Sequence, residues 1–366
     1  MRFLVDAHVF DEPHQGTRTY LRELYRVVIE MRPDDTFYFA CKSKITLESE
    51  IGVHNNVRFI GLSNRGKYFR LLFEFPWLIL RNSIDFAHFQ YVAPPIKLCK
   101  YIITIHDVLF NDFPSLFPVK YRIVKNYLFK TSARFADVLF TVSEYSRKRI
   151  AHHYHIPIDQ IHITSNGIRE IQVDDSGDGF EMTGYDDYIL YVSRVEPRKN
   201  HLILLQAFYE LNLWKTGKSL VFIGKDDLPY KGLDEYLANL APECRARVIK
   251  ISNVALDDLL KFYKHAKVFV YPSLAEGFGI PPLEAVVAGI PTLCSNTTAM
   301  SDFAFLEDDL FDPTNLQELK LKISEKLSGK MDLQRLELLK NFVTKNYSWQ
   351  KTASQYIHHL KENQYI

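Results

Sequence analysis

The chain has 366 residues, 47% of them hydrophobic and 24% charged, with a formal net charge of +1. That length exceeds one typical hydrophobic core and favours two domains of ordinary globular composition. Near-neutral charge supplies no basic footprint, so nucleic acid is not an expected partner.

In chain order, short apolar runs alternate with amphipathic stretches. The first half offers strands at Phe3–Val5, Phe37–Cys41, Val57–Leu62, Phe86–Phe89, Tyr101–Ile105 and Val138–Val142. The second half offers Tyr188–Ser193, Leu220–Gly224, Val248–Ile251, Val268–Tyr271 and Thr292–Ser295. Helical patterns such as Arg18–Met31 and Asn200–Leu211 lie between them, as parallel βαβ units require. The alternation occurs twice, divided by the polar segment Val173–Gly179, which reads as a linker or edge loop. The fold class is α/β, with Rossmann-like domains expected over 1–172 and 173–346.

The opening Met1-Arg2-Phe-Leu-Val-Asp6 meets charge at once and does not read as a signal peptide. The most apolar stretch, Leu71–Leu80, is broken by Glu74 and Pro76 and is too short to span a bilayer. Cys41, Cys99, Cys244 and Cys294 are scattered, with no C-x-x-C pair, which suits a reducing compartment. A cytoplasmic location is expected.

The segment Tyr271-Pro-Ser-Leu-Ala-Glu-Gly-Phe-Gly-Ile-Pro-Pro-Leu-Glu-Ala285 carries the most chemistry. The apolar run Ala266–Val270 is expected to empty into a glycine-bearing loop and then a helix beginning near Pro281 or Pro282. Glu276 in the loop and Glu284 in the first turns of the helix are separated by seven residues. The amides of Gly277, Phe278, Gly279 and Ile280 would receive phosphate oxygens, and the glycines let a ligand approach the backbone. Carboxylates for hydroxyls, beside amides for a diphosphate, suit a nucleotide sugar. The blander readings are a tight turn and a glutamate that complements the helix dipole.

In Tyr188-Ile-Leu-Tyr-Val-Ser-Arg-Val-Glu-Pro-Arg-Lys-Asn200, Arg194 and Lys199 stand five apart. An arginine fork and a lysine point charge there would stabilise charge growing on a departing diphosphate. Taken alone, Pro-Arg-Lys-Asn is a solvated basic turn, and Arg198 is expected to face solvent.

These two segments, with Thr104-Ile-His-Asp107, Thr141-Val-Ser-Glu-Tyr-Ser-Arg-Lys148 and Ser165-Asn-Gly-Ile168, resemble the family 4 glycosyltransferases, the glycosyl transferases group 1, in the family's order. The likeness runs from about Arg2 to Tyr347-Ser-Trp-Gln350. It implies a GT-B fold: two Rossmann-like domains with parallel sheets facing across a cleft, and a C-terminal helix within 347–366 returning to the first domain. It also implies a retaining hexosyltransferase that uses a nucleotide-diphosphate sugar and needs no metal or other cofactor.

On that resemblance Glu276 is catalytic and holds a sugar hydroxyl during front-face substitution, in preference to acting as a nucleophile. Glu284 accepts ribose hydroxyls, Arg194 and Lys199 hold the phosphates, and His106 faces the donor sugar. Asp107 orients that imidazole or caps the next turn, and Gly16 lies in a loop, Asp11–Thr19, that covers the phosphates. The subgroup's flavour suggests a mannosyl-type donor and a glycan or lipid-linked acceptor in cell-envelope polysaccharide synthesis. Ser301-Asp302 stands where relatives often carry Pro-Glu, so donor identity turns on that position. The alternatives are a GT-B nucleotide-sugar epimerase and a non-catalytic nucleotide-sugar-binding subunit.

Other signals weigh less. His152-His-Tyr-His155 has metal-ligand spacing but no partner cluster, and reads as an exposed helix end. No D-x-D triplet occurs, and no G-x-G-x-x-G follows the first strand. The basic, aromatic stretches Arg65–Trp77 and Lys120–Lys130 read as helices packed on the first sheet, with peripheral contact to an inner membrane surface as the alternative.

Overall fold

A computed structural model describes residues 1–12, 16–168, 187–226 and 228–362. The segment Val173–Gly179, read as a linker, lies outside the described residues. The chain forms two compact units, Met1–Gly167 with Tyr347–Ile366, and Ile168–Asn346.

The first unit is built on a seven-stranded sheet in the order β3-β2-β1-β4-β5-β6-β7. Its strands are β1 (Arg2–Asp6), β2 (Thr36–Cys41), β3 (Val57–Gly61), β4 (Phe86–Gln90), β5 (Lys100–Thr104), β6 (Val138–Thr141) and β7 (Ile161–Ile163). The second unit carries six strands in the order β10-β9-β8-β11-β12-β13. These are β8 (Tyr188–Val192), β9 (Ser219–Ile223), β10 (Val248–Ile251), β11 (Val268–Tyr271), β12 (Thr292–Ser295) and β13 (Leu310–Phe311). Every strand pairing among the described residues is parallel.

A parallel sheet covered by helices on both faces needs apolar side chains on both, and all of Ser219–Ile223 is accordingly buried. That is why the strands read as unbroken apolar runs. Only β7 and β13 escaped the sequence reading: each is short, at a sheet edge, and half-exposed in part.

In the first unit the connections β1→β2 and β2→β3 step one way along the sheet, while β3→β4 and β5→β6 step the other. Right-handed crossovers therefore put the helices Gly16–Met31 and Lys44–Ile51 on one face. Residues 67–81 and the helix Val119–Phe135 take the opposite face. Within 67–81 the segment Arg70–Glu74 widens into a π turn just before Pro76. Proline has no N–H and its ring crowds the carbonyl four residues back, so the turn opens to make room.

The helix Trp349–Glu362 closes the Gly16–Met31 face of the first unit. The Tyr25 and Tyr356 hydroxyls lie 3.1 Å apart, and the Thr352 hydroxyl donates to the Ser165 carbonyl at 2.7 Å. Gly167 sits where the chain meets this helix. A Cβ there would lie 2.6 Å from the Trp349 nitrogen and 2.8 Å from its ring. Gly167→Ala is thus expected to destabilise the first unit by about 1–3 kcal/mol through overpacking against backbone, read as a lowered urea midpoint with unchanged slope.

Candidate functional site

In an open α/β sheet a ligand sits beyond the strand ends at the point where strand order reverses. In the second unit that point lies between β8 and β11. After β8 the chain pairs once more, Val195 with Asp226, then makes a short helical turn, Pro197–Lys199. It leaves through Asn200 in the left-handed region, φ 57°, into the helix His201–Glu210. The Asn200 side chain donates to the Pro313 carbonyl at 2.8 Å, and the Tyr191 hydroxyl to the Lys199 carbonyl at 2.6 Å. The loop after β11 is joined to this turn by Leu274 N–H donating to the Arg198 carbonyl at 2.9 Å.

Glu276 is the centre of that junction. Its Oε1 accepts from Lys199 Nζ at 2.5 Å, from Ser273 Oγ at 2.7 Å and from the Tyr271 hydroxyl at 2.8 Å. Its Oε2 accepts from Arg198 at 3.1 Å. Arg198 also pairs with Glu196 at 2.6 Å and donates to the Ala275 carbonyl. The expectation that Arg198 faces solvent is therefore corrected. Its side chain is 14% exposed, because the Pro197–Lys199 turn swings it back over the loop. Both Lys199 and Glu276 are buried.

Burial by itself would raise the Glu276 carboxyl, but the charges of Lys199 and Arg198 and the bonds from Lys199 and Ser273 outweigh it and hold the group at about 2. Burial lowers Lys199 from its ordinary value, with Glu276 pulling it back up. Glu276 is ionised at neutral pH.

The helix after the loop begins at Ile280, one residue before the expected start, with Gly279 at φ 108° as its cap. A side chain at Gly279 would also press on Phe303, 3.2 Å from the place of its Cβ. Pro281 and Pro282 carry no N–H, so amides for an anion must come from Gly277 to Ile280 more than from the helix itself. Phe278 is buried edge-on against Phe303 at 5.9 Å. Glu284 lies beyond the first turn, which carries no acidic residue, so the simple dipole reading fails. Its Oε2 instead accepts from the Tyr263 hydroxyl at 2.9 Å. Ser301 is exposed, its hydroxyl donating to the Thr298 carbonyl at 2.6 Å.

Arg194 is exposed at the end of β8. The backbone beside it is pressed by Gly224, where a Cβ would meet the Ser193 carbonyl oxygen at 2.1 Å and the Arg194 nitrogen at 3.0 Å. Only glycine fits there.

In the first unit His106 follows β5 and is buried. Burial pushes its imidazole down to about 3, so it is neutral at physiological pH. Its Nε2 lies 2.7 Å from Gln90 Oε1. The Gln90 amide nitrogen lies 3.1 Å from His88 Nε2, which also meets Thr104 Oγ1 at 2.9 Å. His88 Nδ1 lies 2.9 Å from the Tyr25 hydroxyl, which meets Tyr356.

With the Gln90 amide oxygen placed toward His106, one proton arrangement satisfies this chain. Gln90 accepts from His106 Nε2–H and donates to His88, and His88 Nδ1–H donates to Tyr25. His106 then keeps its Nδ1 lone pair as an acceptor. Asp107 does not orient this ring through Nε2, and its Oδ1 accepts from Leu109 N–H at 3.2 Å, the capping role.

Gly16 is not in a loop but opens the helix Gly16–Met31, so most of the expected Asp11–Thr19 loop is helical turns. Residues 13–15 lie outside the described residues. Arg18 is taken up by Glu50 at 2.8 Å. His152 and His153 end the helix Glu144–Tyr154, His153 bonding Asp112 at 2.7 Å.

Sequence reasoning misplaced Arg198 and assigned no role to Ser273, Tyr271 or Gln90. The signal for Gln90 lay in β4, where two polar residues, His88 and Gln90, stand two apart in a wholly buried strand.

The comparisons agree with this architecture. Residues 14–170 match the family described as Glycosyltransferase Family 4, and residues 181–349 match Glycosyl transferases group 1. The whole chain is similar in fold to sucrose-phosphate synthase from Thermosynechococcus elongatus, with a TM-score of 0.74 at 17% identity, covering 99% of this chain and 98% of that one. It is similar also to the Anabaena protein HepE in complex with UDP and glucose, with a TM-score of 0.70 at 15% identity, covering 99% and 100%. The fold is GT-B. The chain belongs to the family 4 glycosyltransferases.

Among curated relatives, O-antigen chain mannosyltransferase B of Escherichia coli is 27% identical over 293 residues, 76% of this chain and 75% of that protein. Serotype-specific mannosyltransferase WbdA of Escherichia coli is 28% identical over 227 residues, 60% of this chain but only 28% of its own length.

Three outcomes follow from the geometry. Lys199→Met leaves a buried carboxylate short of its main partner and is expected to cost about 3–5 kcal/mol in urea unfolding, whereas Lys199→Met combined with Glu276→Gln recovers part of that loss. Because the Glu276 carboxyl sits at about 2 against an ordinary 4.5, its stabilisation is full above pH 4.5 and fades as pH falls toward 2; the double variant should flatten that acid limb. Gln90→Leu removes the acceptor from His106 Nε2–H, and ¹⁵N shifts of histidine-labelled protein should report a move to the Nδ1–H tautomer. Gln90→Glu, which keeps an acceptor, should retain the Nε2–H form.

Proposed function

We propose that the chain is a retaining, metal-independent glycosyltransferase. In this reading it moves a hexose of mannosyl type from a nucleotide-diphosphate sugar to a glycan or lipid-linked acceptor in cell-envelope polysaccharide synthesis. The observation that carries the reading is Glu276 held between Lys199 and Arg198 at the strand-order reversal of the second unit. The mannosyl donor and the envelope setting are supported by relatives described as O-antigen and serotype-specific mannosyltransferases.

Loss of the nucleoside diphosphate builds negative charge on phosphate oxygens. An ammonium has three donors, and Lys199 commits one to Glu276, so two remain for those oxygens. Arg194, at the same strand end, adds a fork. The amides from Gly277 to Ile280 line the same loop. Fixed donors of this kind stabilise developing charge without reorganising, which takes over the task a metal performs elsewhere.

Glu276 is a poor nucleophile and a poor base, since four donors hold it at about 2. Its Oε2 has one donor from Arg198 and room for another, which suits a sugar hydroxyl. That role orients the sugar while the departing diphosphate and the incoming acceptor share one face, giving retention. Glu284, whose Oε2 accepts from Tyr263, is the carboxylate this reading assigns to the ribose hydroxyls. His106 offers Nδ1 to a hydroxyl of the transferred sugar.

The test is calorimetry with GDP-mannose, UDP-glucose and ADP-glucose in EDTA, followed by transfer assays with lipid-linked oligosaccharide acceptors and NMR of the product anomer. One donor should bind saturably, Arg194→Ala should weaken it about tenfold or more, and Glu276→Gln should bind donor yet lose about 10²–10³ in kcat. Inversion of the anomer, a strict metal requirement, or nucleotide release without any acceptor would sink the reading.

A further inference from the structure

The helical stretch 67–81 and the helix Val119–Phe135 share one face of the first sheet, and each carries two apolar stripes where one would be expected. The inner stripes, Leu71, Phe75, Leu78 and Ile79 with Phe129 and Ala133, belong to a single buried core. The outer stripes point to solvent. Phe73, Trp77 and Leu80 follow helical spacing and are 60%, 53% and 64% exposed. Val119, Ile123 and Tyr127 repeat the pattern at 62%, 65% and 70%. A solvated helix face would carry polar residues there, and exposed apolar stripes of this kind mark an interaction site.

Charge says which kind. The helix Val119–Phe135 contains no acidic residue, and its cations are Lys120, Arg122, Lys125, Lys130 and Arg134. Glu74, the one acid in 67–81, is spent on the Ser63 N–H at 2.7 Å. Burial lowers Lys125 from its ordinary value and the nearby charge of Lys67 adds to that, so the two stretches bring positive charge together. The cations sit against rings: Arg65 lies 4.9 Å from the Phe69 centroid, Arg81 lies 4.7 Å from that of Trp77, and Lys125 lies 5.5 Å from that of Tyr121. Aromatic bodies with cations at their rims match the depth profile of a lipid interface, where rings enter the headgroup boundary and cations meet phosphates. No helix among the described residues is long and apolar enough to cross a membrane, so contact through this face would be peripheral.

We infer that the outer face formed by Phe73, Trp77, Leu80, Ile123 and Tyr127, with Lys67 and Lys125 beside it, docks on an anionic lipid bilayer. Contact of this kind would hold the first unit on the surface where a lipid-linked acceptor resides. The inference stands apart from the donor chemistry, since none of these residues belongs to the Glu276 site.

The test uses the full chain and sedimentation with vesicles of phosphatidylcholine alone or mixed with 30% phosphatidylglycerol. Binding to the anionic vesicles should be at least about tenfold tighter and should weaken as salt rises. Brominated lipids should quench Trp77, an effect absent in Trp77→Phe.

Two variants, Phe73→Ser with Tyr127→Ser and Lys67→Glu with Lys125→Glu, should each lose about tenfold or more in vesicle affinity. Both should keep their circular dichroism and their nucleotide-sugar binding. Three results would overturn the inference: no binding to anionic vesicles, binding untouched by both variants, or a wild-type dimer that the variants dissolve, which would give the face to a second copy. Failure of donor binding with vesicle binding intact would count against the proposed function alone.

Discussion

Burying the Glu276 carboxylate is costly, and the second unit is arranged around meeting that cost. An isolated carboxylate taken out of water would protonate. Glu276 stays ionised because Lys199 and Arg198 arrive from the end of β8 while Tyr271 and Ser273 arrive from the end of β11. The ion pair therefore requires that these two strands be neighbours, as they are. In turn it ties two loops that the sheet alone would leave independent. A ligand meeting this site finds its polar groups already desolvated and oriented, the condition under which fixed charges act most strongly on a changing charge distribution.

The first unit solves a similar problem without charge. His106 is reached by a line of neutral groups that begins at Tyr356 on the last helix and passes through Tyr25, His88 and Gln90. Each member both gives and takes, so the direction of every hydrogen bond depends on the rest. The C-terminal segment thereby helps define the tautomer of a histidine about 250 positions earlier in the chain. Gly167 is the matching backbone constraint, since the same helix passes too near for any side chain there.

Much of the fold was legible because parallel strands are covered on both faces and must be apolar throughout. All eleven expected strands coincide with observed ones to within a residue or two, and the missed β7 and β13 are short edge strands. The Glu276–Glu284 spacing and the Arg194–Lys199 pair were also visible, since each lies within one short segment beside a strand end. Arg198 was misread because a cation in a Pro-Arg-Lys-Asn turn is ordinarily solvated, and nothing local says that a carboxylate 78 positions away will meet it. Gly16 was misread because it resembles the family's glycine loop, whereas the helix beginning there is sustained by its packing against the last helix.

The sequence by itself determined the local features: which runs become strands, where a helix starts on a glycine and two prolines, and which residue types stand at strand ends. These follow from periodicity, backbone freedom and side-chain chemistry, all of which act over a few positions. Only the tertiary structure decided the state of those groups. Whether Glu276 is charged, which nitrogen of His106 carries the proton, and whether the aromatic stripes on 67–81 and Val119–Phe135 are core or surface depend on partners brought together across the sheet. Burial and electrostatic pairing are properties of the assembled neighbourhood, and no stretch of sequence contains its own neighbourhood.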